Sequence, residues 1–290
     1  MKSKKSAFTI VELLTVMSII IILMGLVLPA LNKVRRYATT VKQHGQFNSI
    51  SVAIDLFRGD MDGYPPSALS DTPDYYGGAH KLCEALMGQD LVGFHPRSRW
   101  RSDGTDNQSN VLYPQMLDVT VTPDEANLRA RKGPYIEMGN ANIYRNADIY
   151  VNCGSFDPCN YVLCDVYSTV DNLAPTGKSK IGMPILYYRA DETKLSHDPN
   201  NLPGNPNTTH IYNYTDNYDL IRLGAPFYGT PSATDHPMNS GDIFYQKTID
   251  RRITTIVQYR PHRPDSYILI AAGFDGLYGT DDDICNFTDK

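Results

Sequence analysis

The chain has 290 residues, 41% hydrophobic and 20% charged, a globular balance that excludes a disordered, collagen-like or multi-span membrane chain. Its 27 Lys and Arg against 32 Asp and Glu leave a net charge of −5, and the segment before Leu31 is itself basic (Lys2, Lys4 and Lys5 against Glu12), so the acidity belongs to the body. An acidic body argues against nucleic acid as a partner, and the length allows one large domain or two small ones.

Residues 1–7 read MKSKKSA, and residues 8–31 read FTIVELLTVMSIIIILMGLVLPAL, an apolar run with Glu12 as its one charge. At ~1.5 Å per residue the run covers the ~30 Å hydrocarbon core of a bilayer, which predicts a transmembrane helix. The basic flank places the first residues in the cytoplasm and the body across the membrane. A cleaved secretory signal fits less well. Its apolar core is ~7–15 residues long, and Leu28-Pro29-Ala30 is a poor cleavage site. A carboxylate in a membrane helix costs roughly 2–3.5 kcal/mol unless paired. The span offers Glu12 no cation, but a cut between Ala7 and Phe8 would create an α-amino group that could serve, on the same chain or a neighbour.

The junction KKSAFTIVELL resembles the class III signal of type IV prepilins and type II secretion pseudopilins: a short basic leader, a small residue, Phe, and an acid at the fifth mature position. The resemblance implies that Ala7 precedes the cut, that Phe8 becomes the N-methylated first residue, and that Glu12 is the glutamate used in assembly. Ala7 stands where the family usually has Gly. The implied partners are a prepilin peptidase, an inner-membrane assembly platform, other pseudopilins, copies of the same chain and the lipid bilayer. The implied location is the inner membrane, with an extracytoplasmic head that later forms the surface of a filament. The implied role is structural rather than enzymatic. The domain plan is a leader at 1–7, a membrane helix at 8–31, its amphipathic continuation at 32–60 and a pilin-like head at 61–290.

Beyond the span, Phe47, Ile50, Ile54 and Phe57 recur at steps of three and four, an amphipathic stripe extended backwards by Val34, Ala38 and Val41. The expectation is one helix from 8 to 58, roughly 75 Å long and bent near Pro29, with its second half packed on a sheet. GDMDGYPPS at 59–67 ends it, and this DGYP turn also resembles the end of the long helix in major pseudopilins. A short helix is expected within 79–93, with Leu82, Ala85 and Leu86 on one face and Gly88 or Gly93 at its end. Residues 94–160 read mostly as loop, with Arg97, Arg99 and Arg101 around Trp100 on a solvated stretch. Strands are expected at 161–167, 183–189, 242–246, 253–259 and 266–272, all rich in β-branched and aromatic residues. The Asn-, Pro- and Tyr-rich stretch 190–240 reads as a surface insertion or a binding loop. One long helix followed by antiparallel strands is an α+β plan. Of the five cysteines, Cys153 and Cys159 suit a disulfide in an oxidising compartment, whereas Cys83 and Cys164 also suit buried thiols.

Residues 271–286 read AAGFDGLYGTDDDICN and crowd Asp275, Asp281, Asp282 and Asp283 among glycines. Clustered carboxylates repel, and a hard cation with flexible oxygen ligands relieves that cost, which favours Ca²⁺ over Mg²⁺ and zinc. The loop also resembles the calcium loop of major pseudopilins. That resemblance implies Asp275, Asp281 and Asp283 as ligands, with Asp282 pointing away or in reserve and Leu277 or Tyr278 giving a carbonyl. A solvated acidic turn is the alternative. Residues 172–179, NLAPTGKS, lack the first glycine of a phosphate-binding loop, and G-x-S-x-G and H-E-x-x-H are both absent. The alternative to a filament subunit is a membrane-anchored extracytoplasmic module that binds a glycan or a protein.

Overall fold

A computed structural model describes residues 9–69, 75–113, 125–174, 180–198, 210–226, 234–253 and 259–287. It is a long apolar helix followed by small antiparallel sheets and short helices, α+β in character. The chain divides into two compact units, Met1–Lys42 and Gln43–Lys290.

Helix α1, Ile10–Met61, is continuous over 52 residues and runs through Pro29. Thr9 opens it. The Thr9 carbonyl accepts from Leu13 N–H at 3.2 Å, and its hydroxyl oxygen accepts from Glu12 N–H at 3.2 Å. Asp62, at φ 57, turns the chain out of the helix ahead of Pro65 and Pro66. The first part of α1 is long and apolar enough to cross a membrane, and its side chains from Ile10 to Leu31 are exposed. In the second unit, α1 buries Gln43, Gln46, Phe47, Ile50, Ala53, Ile54 and Phe57. The expected stripe 47–57 is therefore the packed face. Its backward extension is corrected: Val34, Ala38 and Val41 are exposed, and burial begins at Gln43.

Helix α2, Gly78–Met87, is buried along its whole length rather than on one face. It stops at Gly88, whose φ of 78 and close approach to Gly93 leave no room for a side chain; an added Cβ would lie 2.2 Å from the Gly93 carbonyl. The stretch expected to be mostly loop holds helices α3 (Glu125–Ala130), α4 (Met138–Ala141) and α5 (Asn146–Ile149). It also holds strand β1 (Ile143–Arg145), which pairs antiparallel with β2 (Tyr161–Leu163). Trp100 is not free in its polar loop but stacks on Phe94, with ring centroids 5.1 Å apart.

A second hairpin joins β3 (Val170–Asp171) to β4 (Lys180–Ile181). Strand β5 (Leu186–Arg189) lies within the expected 183–189. After the short helix α6 (Tyr218–Arg222) come α7 (Gly241–Thr248), β6 (Tyr267–Ala271, within 266–272) and β7 (Ile284–Cys285). Strands β5, β6 and β7 form one antiparallel sheet with Leu186 opposite Ile270 and Ala271 opposite Ile284. Its side chains alternate between two cores. Tyr187, Tyr267, Leu269 and Ala271 join Phe47, Ile50, Ile54, Phe57, Leu82 and Leu86 on one face. Leu186, Tyr188, Ile268 and Ile270 join Phe244, Tyr245 and Tyr278 on the other. All five residues of β6 are buried, as expected of a strand covered on both faces.

The strand expected at 242–246 is helix α7 instead. Phe244, Tyr245 and Thr248 share its buried face, Asp242 sits in its first turn and Lys247 in its last, a helical spacing with charges matched to the helix dipole. Of the strand expected at 253–259, Ile253 lies in a turn, and residues 254–258 are outside the described residues. All five cysteines are free thiols, Cys153 and Cys159 included.

Candidate functional site

The amino-terminal elements place Glu12 at the third position of α1. Its Oε2 accepts from Thr9 N–H at 2.9 Å and from the Thr9 hydroxyl at 2.8 Å. With the reciprocal bond from Glu12 N–H to the Thr9 hydroxyl, this is a capping box, signalled by T-x-x-E in the sequence. The box thus satisfies two of the helix's orphan N–H donors, Thr9 N–H by the carboxylate and Glu12 N–H by the Thr9 hydroxyl oxygen, without any other chain. Ala7 and Phe8 lie outside the described residues.

The carboxyl-terminal loop grows out of the sheet between β6 and β7 and is pinned at two glycines. Gly273, at φ +71, lets the Asp282 carbonyl come so near that a Cβ would lie 2.3 Å from it. Gly279, at φ +97, does the same for Met238 N, 2.6 Å from an added Cβ. The loop is stitched to the 236–238 turn by Tyr278 N–H donating to His236 Nδ1 at 3.1 Å and Met238 N–H donating to the Tyr278 carbonyl at 2.9 Å.

The four aspartates do not converge. Asp282 Oδ2 accepts from Asp275 N–H at 3.0 Å, and the two carboxyls interact directly. The Thr280 hydroxyl lies 2.5 Å from Asp282 Oδ1, and Asp275 Oδ1 accepts from Leu277 N–H at 2.8 Å. Burial pushes the Asp275 carboxyl up, and the adjacent Asp282 charge adds to this. Burial acts the same way on Asp282, but hydrogen bonds from Thr280 and the Asp275 backbone hold it low. Asp283 turns the other way. Its Oδ2 pairs with Lys247 Nζ at 2.8 Å and accepts from Gly279 N–H at 2.8 Å, with its side chain fully buried. Burial pushes Asp283 up to about 7 against the pull of Lys247. Asp281 is exposed.

The arrangement thus pairs Asp275 with Asp282, the residue expected to point away or stand in reserve, and commits Asp283 to an internal ion pair. Two touching carboxyls with a hydroxyl beside them can share one proton or hold a hard cation between them. Among the described residues, no group of three or more His, Cys, Asp or Glu side chains is arranged to hold a metal ion.

Sequence reasoning singled out neither Lys247, just past the strand expected at 242–246, nor the pair Gln43 and Gln46. Gln46 Nε2 donates to the Cys164 carbonyl at 2.8 Å and the Ala141 carbonyl at 3.2 Å. Gln43 Nε2 donates to Gln46 Oε1 at 3.1 Å, and Gln43 Oε1 accepts from Val166 N–H at 2.9 Å. The two amides clasp the head's 141–166 segment to α1. No family model, curated protein or solved structure matches the chain.

Proposed function

We propose that the chain is a pseudopilin or type IV pilin-like subunit, cut between Ala7 and Phe8 by a prepilin peptidase and assembled into a filament through its amino-terminal helix. The observation that carries this reading is the coincidence of three features in sequence: the KKSA–Phe8 junction, the Thr9–Glu12 cap, and an apolar helix whose side chains from Ile10 to Leu31 are all exposed. Such a surface is stable only in lipid or against other helices like itself. In this reading the head lies outside the cytoplasm. Glu12, already capping its own helix, is the one charged side chain of the apolar run, and a neighbour's new amino terminus at the same depth would pair with it. The role is structural rather than catalytic, with secretion favoured over adhesion by the aspartate loop.

Calcium belongs to the same proposal. The fitting residues are Asp275 and Asp282 with the Thr280 hydroxyl, whose touching carboxyls a cation would relieve of repulsion. Bound there, calcium supplies charge neutralisation and ties the loop to β6. Mass spectrometry of the membrane-extracted protein tests the assembly reading. The expected mature chain starts at N-methylated Phe8. A start at Met1, or one after Ala30, overturns it.

A further inference from the structure

We propose that the cavity between the turn after α1, the end of β5 and the 210–216 segment binds a small ligand carrying a primary ammonium group on a short methylene stem. The inference is independent of filament assembly.

The cavity measures about 430 Å³, within the ~300–1,000 Å³ range of small-molecule sites. Asp216 forms part of its wall and is only 3% exposed. One carboxyl oxygen, Oδ2, accepts from the Ser67 hydroxyl, which in turn accepts from Arg189 N–H at 2.9 Å. The other, Oδ1, is buried with no hydrogen-bond partner among the described residues. A buried carboxylate oxygen without a donor is costly, so a native structure that keeps one invites a donor from outside.

The charge of the cavity selects that donor. Among the described residues its lining includes Asp191, Glu192 and Asp216 against a single guanidinium, Arg189, whose Nη1 is drawn off to the Tyr64 carbonyl at 3.2 Å. Lys81 is near enough to influence Asp216, but its Nζ donates to the Ala68 carbonyl. Burial pushes the Asp216 carboxyl up to about 7, while the Ser67 hydrogen bond and Lys81 act the other way. An anionic ligand is repelled by the lining. A hydroxyl would satisfy Oδ1 but add no positive charge to a lining whose three acids outnumber Arg189 and the nearby Lys81. An ammonium group answers both, and the apolar walls Pro66, Ala190 and Ile211 suit the stem behind it.

The test is calorimetric titration of the full chain in detergent with 1,5-diaminopentane and with Nα-acetyl-lysine amide, using 1,5-pentanediol and glutarate as neutral and anionic controls. Saturable binding of at least one amine, with neither control binding, is expected. Preference for the diamine identifies a free amine as the ligand, and preference for the lysine amide a protein side chain. Asp216→Asn should weaken binding about tenfold or more. If that variant does not fold, the rim variants Asp191→Asn and Glu192→Gln together should weaken it instead. Absence of amine binding at millimolar concentration, equal binding of pentanediol, or affinity unchanged in the folded variants overturns the proposal.

Discussion

Glu12 does two jobs that a single substitution confounds. Glu12→Ala removes both its charge and its half of the capping box. Glu12→Gln keeps a capping acceptor and removes only the charge. If the charge serves assembly, both variants should insert into the membrane and both should fall out of filaments, which fractionation of sheared filaments from membranes would measure. Normal incorporation of Glu12→Gln would reduce Glu12 to a helix cap. The aspartates divide in a similar way. Asp283→Asn removes the ion pair to Lys247, whose Nζ keeps the Thr280 carbonyl, and its effect on the melting temperature should be the same with and without calcium. Asp275→Asn should cost little without calcium but abolish the rise in melting temperature that excess calcium produces by mass action. An unchanged melting curve with and without calcium would leave Asp275 and Asp282 as a proton-sharing pair. Nothing in the sequence says which of Asp281, Asp282 and Asp283 faces inward. Three consecutive like residues in a turn have no periodicity to read, and the choice was made by Gly273, which brings Asp282 close, and by Lys247, which captures Asp283.

At the scale of elements, the long helix was legible because Phe47, Ile50, Ile54 and Phe57 repeat at the helical period, and β5 and β6 because YYR and YILIA are dense in strand-forming residues flanked by breakers. Helix α7 was not. DIFYQ is short enough to satisfy a strand template, and its helical character appears only when Thr248, four residues after Phe244, is counted with the buried face. The glutamine clasp was invisible for a different reason. Gln43 and Gln46 are polar, and what makes them structural is three backbone groups, at Ala141, Cys164 and Val166, that lie about 95 to 123 residues away in the chain. Gln46→Leu removes the donor to two of these carbonyls while keeping bulk and helix propensity. It should lower stability by about 1–3 kcal/mol in urea unfolding. A midpoint equal to the parent's would show that water replaces the amide at no cost.

For the whole molecule, the buried titratable groups set a pH profile with opposing limbs. Burial holds His80 and His236 down at about 4 and His197 at about 3, so between these values and ~6.5 the unfolded chain binds more protons and stability falls as pH falls. Burial raises Asp216 and Asp283 to about 7, so between ~4 and 7 the folded chain binds more protons and stability falls as pH rises. The two limbs offset, and removing one histidine unbalances them. His197 Nε2 lies 2.7 Å from Thr248 Oγ1, which itself donates to the Phe244 carbonyl, so the imidazole is the donor and glutamine can replace it. Relative to the parent, His197→Gln should therefore fare better at pH 5 than at pH 7 by about 2 kcal/mol, read from urea midpoints at each pH. A pH-independent difference would mean that His197 is not held neutral. The boundary between Lys42 and Gln43 carries a further consequence, for where the chain tolerates truncation. Every α1 side chain that the head buries lies from Gln43 onward, so a fragment beginning at that glutamine keeps both amides of the clasp and the whole aromatic and aliphatic seam beneath it. Starting three residues later would strip Gln43 from Val166 and leave Gln46 as a fraying first residue, while starting earlier adds helix with no fully buried side chain. The apolar helix can then be shortened or shed at that one peptide bond without touching the core of the head.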